Sequence, residues 1–467
     1  MSIWEAEFTQ RFPECARPID EQLLDVWPVS LKRLGAGHSI RLRGVGASPR
    51  STEEVAAVVR WSALHDVPVV PRGGGSSVTG SPLPPAGFIL LDTRCLDRIV
   101  DIDPVDGIVH VQAGVLGGYL ESILQAEGLT TWFSPQSLER STVGGWVATR
   151  ASGQFSSCWG GIEDAVAALT VVLANGEIVR VGTPPRGAVG PDMRSLFIGS
   201  EGAFGIVTEV TLRVHPWTPV ALSSFALADV SSGLTVIRRL MQSGARPTLL
   251  RLYDEDEARH LEALSPGAAP VLIAGFAGHK EIVAAAQSVA QRLLSEAGAE
   301  DLGPATAEAW FKNRYDFSRL EAFLDKPGGF AETIEVAFAW REAHGSYLTL
   351  KEALRPYADE VVGHFSHAYS DGISCYLITT GELGTDQAAL DRLEQIWSVA
   401  METALGCGAV ISHHHGVGTA RLPYLPRQLG TAYDLLVTLK HAIDPGQLCH
   451  PGSLVDLAGQ AGPRRTP

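Results

Sequence analysis

The chain has 467 residues, enough for roughly three compact units at about 150 residues each, and 45% of them are hydrophobic against 19% charged, which excludes a disordered or fibrous protein. A net charge of −15 repels phosphate backbones and argues against a nucleic-acid partner, and no apolar run approaches the roughly 20 residues that cross a bilayer. Six widely spaced cysteines without a C-x-x-C pair fit reduced core thiols better than a zinc cage or a disulfide framework, and the amino terminus, with Glu5 and Glu7 but no basic leader, reads as unexported.

Residues 1–40 read as helical. The following SPRSTEEVAAVVRWSALHDVPVVPRGGG predicts a capped helix, with Ser51 or Thr52 accepting from first-turn amides, Glu53 and Glu54 at its positive end, and Val55, Val58, Val59 and Ala63 on one face. A buried strand over 67–70 leads into a glycine loop. From 89 to 111, short strands (ILLDT, RIVDID, GIVHVQAG) are separated by Asp, Pro and Gly, and a helix follows over about 116–127. These connections are too short for a regular doubly wound sheet. ALTVVLANGEIVRV predicts a hairpin around Asn175-Gly176, a pair that tolerates positive φ. A boundary is expected at 215–219, after which alanine-rich helices (231–242 and 281–297) alternate with strands such as PVLIAGFAG and SCYLITTG in a second α+β unit. Beyond Cys407, GAVIS reads as a buried strand, a dense histidine loop follows, and a last helix ends before Asp444-Pro445-Gly446. The expected division is an N-terminal helical segment (1–40), a ligand-binding domain (41–215), a substrate or cap domain (216–405) and a C-terminal segment (406–467) that returns to the first domain.

Three stretches carry chemistry. Arg72, Gly73, Gly74, Gly75, Ser76, Ser77 and Val78 follow a strand, and consecutive glycines leave backbone N–H groups free to converge on a diphosphate. On its own the loop is equally well a structural turn. It has neither the G-x-G-x-x-G spacing of a nicotinamide site nor the lysine of a Walker loop. Next, SPQSLERSTVGGWVATRASGQFSSCWGGIEDAV has few charges but many hydroxyls and two tryptophans, Trp146 and Trp159, which reads as a loop wrapped round a flat polar ligand. Third, GSEGAFGIVTEV places three glycines just before a strand; read alone, this is a tight hairpin entry.

In this order and spacing the three stretches resemble the flavin domain of the vanillyl-alcohol-oxidase-type flavoproteins over about residues 41–215. Within that superfamily STVGGWVATRASGQFSSCWGGIEDAV, LLRLYDEDEA and SHHHGVGTAR are similar to the alkyldihydroxyacetonephosphate synthases, over nearly the whole chain except its first forty residues. The resemblance implies an α+β fold, with a two-subdomain FAD-binding domain and a second domain of antiparallel sheet plus helices. It implies that Arg72 and Gly73 to Val78 hold the FAD diphosphate. Pro135, Gln136, Ser137 and Ser141, with Thr142, Gly144 and Gly145, would line the isoalloxazine and ribityl chain. Ala148, Thr149, Arg150 and Ala151 would continue that wall, and Glu201, Gly202, Gly205, Ile206 and Val207 would close over the adenine side. No histidine occupies the glycine loop, where some relatives attach the flavin, so noncovalent FAD is expected, the histidine cluster being the other attachment point on offer.

Ser412-His413-His414-His415-Gly416-Val417-Gly418 is the most unusual local feature. Adjacent histidines lack the i, i+4 or separate-element spacing of metal ligands, and no carboxylate or cysteine stands nearby in sequence, so catalysis ranks above metal binding and no metal is expected. In the related 2-hydroxy-acid dehydrogenases this loop resembles EHGIG; a histidine here replaces the acid, which favours the synthases. The resemblance implies that Tyr376, on the apolar strand GISCYLITT, is the general base, with His414 and His415, beside His413, supplying the charge that a phenol of pKa near 10 needs. For a phosphorylated substrate the planar fork of arginine is required. The resemblance implies Arg319 for this role, with a two-residue insertion allowed, Arg314 being its competitor; Arg251 also matches a synthase position, with a buried ion pair to Asp254 or a neighbouring acid as the equally good alternative.

Three functions follow. The first is a redox-neutral transferase that exchanges the acyl group of an acyl-dihydroxyacetone phosphate for a fatty alcohol through a flavin N5 adduct, in ether-lipid synthesis. The second is an FAD-dependent oxidoreductase taking hydride from a 2-hydroxy acid or related alcohol. The third is a catalytically idle flavin-binding protein. A small-molecule or lipid-derived substrate is expected, and a homodimer and transient membrane contact stay open. The ending GPRRTP is not an S-K-L tripeptide and fits a cytoplasmic address.

Overall fold

The computed structural model describes residues 2–19, 25–38, 43–83, 87–261 and 269–455. Parts of the first helical stretch (20–24 and 39–40) and the GPRRTP ending lie outside the described residues. What remains of the N-terminal stretch is not continuous helix but two short helices, Ile3–Arg11 and Pro28–Gly35, around a two-residue strand, Ala16–Arg17, because Pro13 and Pro18 interrupt the periodicity.

Two sheets make up the first half. Gly44–Ala47, Phe88–Asp92 and Val69–Arg72 run parallel, and Ala16–Arg17 adds an antiparallel edge. Helix Thr52–His65 covers them; its N-cap Ser51 accepts from the Glu54 amide at 3.2 Å, and a left-handed Asp66 (φ +52°) ends it. Its buried stripe follows i, i+3, i+4, i+7 through Val55, Val58, Val59 and Ser62, each valine worth on the order of 1.5–3 kcal/mol, whereas Ala63, expected on that face, is exposed. The second sheet is antiparallel, in the order Ile99–Asp103, Ile108–Gln112, Ile206–Arg213, Val166–Val172, Ile178–Val181. Its last two strands are the expected hairpin, turned by Gly176 at φ +77°.

A seven-stranded antiparallel sheet forms the second half, in the order Glu300–Gly303, Ala221–Ala226, Val271–Phe276, Leu249–Tyr253, Glu360–Ala368, Gly372–Glu382, Gly329–Ala339. Alternation along each strand divides its side chains between two faces. Leu250, Leu252, Phe365, Cys375, Leu377, Ile334 and Val336 face the helices Val230–Gln242, Lys280–Glu296, Ala343–Leu354 and Asp386–Gly406 in the largest core. The other face carries the polar residues described below. GAVIS is not a strand: Val410 makes a single bridge to Ala337 on the sheet edge and is half exposed. The hydroxyl-rich stretch is not one loop but contains helix Val143–Thr149, whose Thr142 cap and left-handed Arg150 (φ +52°) confine it to two turns, and two single-turn helices. From the last helix, Ala432–Ile443, the buried Lys440 donates to Ala203 O and Cys449 O at 2.7 Å each and pairs with Asp444 at 2.6 Å, fixing the C-terminal segment to the first half.

Candidate active site

Register builds the site. Tyr253 opposes His364, His364 opposes Tyr376, and Tyr376 opposes Glu335, so four neighbouring strands lay one polar row across the face away from the helices. Arg251, two residues before Tyr253, stands on the same face. Its Nε donates to Tyr253 Oη at 2.6 Å and its Nη2 to His364 Nε2 at 2.8 Å, while Glu257 holds His364 Nδ1 at 2.7 Å. The His364 ring stacks on Tyr376 at 4.5 Å.

The histidine loop lies over this row, fastened by the buried Glu335 and Arg421 and by the half-buried Glu201. Glu335 accepts from the His413 and His414 amides at 2.5 and 3.0 Å; Arg421 donates to Ile411 O, Gly416 O and Glu335 Oε2 at 2.6, 3.0 and 3.2 Å; Glu201 accepts from the Val417 and Gly418 amides at 2.5 and 3.1 Å. On its far side the loop rests on the end of the glycine loop, Thr419 N donating to Gly80 O and Ala420 N to Thr79 O.

At the centre Tyr376 Oη lies 2.9 Å from His414 Nε2, and His414 Nδ1 lies 3.3 Å from Glu335 Oε1. This is the carboxylate–imidazole–hydroxyl relation by which a base is oriented and a hydroxyl activated. Burial pushes Glu335 up, but the facing His414 and the Arg421 guanidinium hold it well below the carboxylate range, so it is ionised. Burial, with Glu335 adding to it, pushes the Tyr376 phenol well above its ordinary value, Arg251 opposing. His413 and His415 are held down to about 3 by burial. His413 and His415 are therefore neutral, and His415 brings no positive charge to the Tyr376 phenol.

The glycine loop is pressed against residues 140–142. A Cβ at Gly73 would meet Thr142 Oγ1 at 2.4 Å, and one at Gly74 would meet Arg140 O at 2.1 Å; Gly75 sits at φ +66°. Among the described residues the amides of residues 73–78 make no hydrogen bond within the chain, the condition for an anion cradle. The family described as FAD binding domain matches residues 45–182, and the family of FAD linked oxidases, C-terminal domain, matches 217–454. The chain belongs to the FAD-linked oxidases. It is 30% identical over 426 residues to the Escherichia coli (strain K12) FAD-linked oxidoreductase YgcU, itself uncharacterized, covering 87% of this chain and 88% of that one. To the alkyldihydroxyacetonephosphate synthase of Dictyostelium discoideum it is 26% identical over 445 residues, covering 87% and 72%. A solved alkyldihydroxyacetonephosphate synthase shares the fold at a TM-score of 0.82 and 22% identity, over 97% of this chain and 86% of that chain. FAD is the cofactor, and the unpaired amides of the Cβ-intolerant cradle fit its diphosphate.

Several expected FAD contacts are engaged elsewhere. Ser141 Oγ accepts from Trp146 Nε1 at 2.7 Å and donates to Ser137 O; Thr142 caps its helix; Thr149 Oγ1 donates to Gly145 O; Arg150 is exposed beside Glu163. Ile206 is 1% exposed in the core beneath, Gly205 abuts Val172 O, and the Glu201 carboxylate accepts from the histidine loop. Pro135 and Ala151 are buried, Gln136 is exposed, and Gly144, Ala148 and Val207 are half buried. The tryptophans back the protein rather than a ligand: Trp146 packs on Phe133, and Trp159 stacks on Trp132 at 5.7 Å.

The three candidate arginines lie in different surroundings. Arg319 is 43% exposed and engaged by Glu360 and His260 at 2.8 Å each. Arg314 lies between the Phe311 and Tyr315 rings, 3.9 and 4.4 Å from their centroids. Arg251 stands behind Tyr376, and its expected partner Asp254 pairs with Lys351 instead; among the described residues no carboxylate pairs with Arg251. Glu335, His364, His367 and Arg421 were not foreseen. The visible signal for Glu335 was a charge inside the apolar run ETIEVAFAW. It also supplies the carboxylate thought to be missing: Glu335, His413 and His414 bring ligand-type atoms within 4.8 Å of one another, although hydrogen bonds already occupy the carboxylate. Among the described residues no helix is long and apolar enough to cross a membrane.

Proposed function

We propose that the protein exchanges the acyl group of an acyl-dihydroxyacetone phosphate for a fatty alcohol, with noncovalently held FAD, in a reaction without net oxidation. The observation that carries this reading is the Glu335–His414–Tyr376 relay inside a histidine loop of the synthase type, backed by the unpaired charge of Arg251. Arg251 binds the substrate phosphate, and Arg314 and Arg319 stand aside. FAD, when bound, supplies an electron-accepting ring that activates C1 of the substrate and ends at its starting oxidation level. As the C1 proton passes to the Tyr376 oxygen, the tyrosine's own proton passes to His414 Nε2. The imidazolium so formed faces Glu335, and reversal of both transfers restores the site after carboxylate has left and alcohol has entered. A positioned base of this kind contributes about 10²–10⁴-fold. Anaerobic incubation with the acyl substrate and a long-chain alcohol tests it: ether product with flavin still oxidised supports the reading, and no ether under those conditions overturns it.

The oxidoreductase reading has its own support in the FAD-linked oxidoreductase YgcU, at 30% identity, and in a guanidinium that holds a carboxylate as readily as a phosphate. It requires that D-lactate or glycolate bleach the flavin anaerobically.

A further inference from the structure

Tyr376 is held from two sides. His367 Nε2 approaches its hydroxyl at 3.0 Å opposite His414, and His367 Nδ1 lies 2.7 Å from Ser156 Oγ. Ser156 Oγ is reached by Tyr369 Oη at 3.2 Å, Tyr369 Oη lies 2.9 Å from His413 Nε2, and His413 Nδ1 lies 2.9 Å from His414 Nδ1. The six groups close on themselves: Tyr376, His367, Ser156, Tyr369, His413, His414 and Tyr376 again.

A closed circuit of six donors and six acceptors has one direction once a single proton is placed. Ionised Glu335 only accepts, so a His414 ring that carries one proton holds it on Nδ1, between Glu335 and His413 Nδ1. His414 Nε2 is then bare and accepts from Tyr376. His413 Nδ1 also accepts, which puts its proton on Nε2, toward Tyr369. Tyr369 donates to Ser156, Ser156 to His367 Nδ1, and His367 Nε2–H to the Tyr376 oxygen. Every group donates once and accepts once, consistent with His413 and His367 being held neutral by burial.

We propose that His367 and Ser156 are positioning residues that complete this circuit and so direct the Tyr376 hydroxyl to His414 alone. With His367 donating into the oxygen, the tyrosine cannot turn its proton the other way, and the lone pair that meets the substrate stays oriented. The backbone shows the device as well. Alternation would turn His367 to the helix side, but a bulge between Ser366 and Ala368, with His367 at φ +50°, returns the ring to Tyr376. Ser156 comes from the first half and the other five groups from the second, so the circuit closes only when the two halves are docked.

The inference rests on the reading of Tyr376 as proton acceptor, and its main test does not need the substrate. In FAD-loaded protein labelled with 15N-histidine, the imidazole shifts report which nitrogen carries the proton. The expected result is neutral His367 protonated on Nε2 and neutral His414 protonated on Nδ1; the opposite tautomer at either residue overturns the circuit. Ser156→Ala should release His367 from its single tautomer and leave His414 in its own, and an unchanged His367 counts against the role of Ser156. In turnover, His367→Leu should lower kcat by about tenfold with KM little changed, and His367→Gln, which keeps an N–H, should recover most of it; equal losses in the two contradict the positioning role. Expected tautomers without ether synthesis would overturn the assigned reaction alone, and ether synthesis with other tautomers the circuit alone.

Discussion

Glu335→Gln separates the electrostatic reasoning from shape, because the substitution is isosteric. Glu335 and Arg421 are both 0% exposed in their side chains, and the carboxylate is met by donors on every side: the His413 and His414 amides on Oε1 and the guanidinium on Oε2. A glutamine has one accepting oxygen. If it stays on the amides, its NH2 faces Arg421 Nη2, a donor against a donor where 3.2 Å now separates opposite charges. An uncompensated buried charge costs about 3–5 kcal/mol, a large share of the roughly 5–15 kcal/mol typical of whole proteins. Urea unfolding followed by tryptophan fluorescence should show a loss of that size, and Glu335→Gln/Arg421→Met should show coupling of about 1 kcal/mol or more between the two sites. The same change leaves only an uncharged oxygen facing His414 Nδ1 and so removes the charge that would steady an imidazolium there, and kcat should fall about 10²–10⁴-fold in molecules that still hold FAD. A loss of stability below about 1 kcal/mol, or strictly additive single effects, would refute the buried-pair reasoning. A folded, flavin-loaded variant within about threefold of wild-type kcat would refute the relay.

Tyr376→Phe should lose turnover over about the same 10²–10⁴ range while its flavin absorbance is unchanged, and retained turnover would move the base elsewhere. Gly74→Ala places a methyl 2.1 Å from Arg140 O, so the cradle must open; flavin bound per protein after gel filtration should drop, with Kd weakened about tenfold or more. His415 is neutral in the fold down to about pH 3 but protonates near 6.5 when unfolded. The unfolded chain therefore binds the extra proton between those values, and stability rises with pH there by about 1.4 kcal/mol per unit. His415→Asn should flatten the pH dependence of urea unfolding by that slope between pH 4 and 6.5. Arg251→Lys should raise KM for a phosphorylated substrate about tenfold by replacing a fork with a point charge, and Arg319→Ala should leave KM unchanged.

Most of what the sequence showed was local. The helix Thr52–His65 was legible because its cap and valine stripe lie within one segment, and so was the hairpin at Asn175-Gly176, where a turn pair sits between two apolar runs. The α+β character and the FAD domain were legible through runs of glycine, which keep their spacing whatever they touch. The active site was not local. Nothing within ten residues of Tyr376 announces Glu335; they meet because a register of eleven paired positions between Gly329–Ala339 and Gly372–Glu382 puts them opposite each other. No carboxylate stands near the histidines along the chain; theirs arrives across the sheet. The surroundings of Arg251 were no more legible: Arg251 and Asp254 are close in sequence, but alternation sends Arg251 to the polar face of the sheet while Asp254, past the strand end, caps a helix and meets Lys351. His367 shows the limit most clearly. Period two assigns it to the wrong face, and only the left-handed turn at the bulge reverses that. Such a turn costs a non-glycine residue about 1–3 kcal/mol. The fold keeps it where Ser156 on one side and Tyr376 on the other give the ring two hydrogen bonds, so the strain is held by the same contacts that orient the tyrosine.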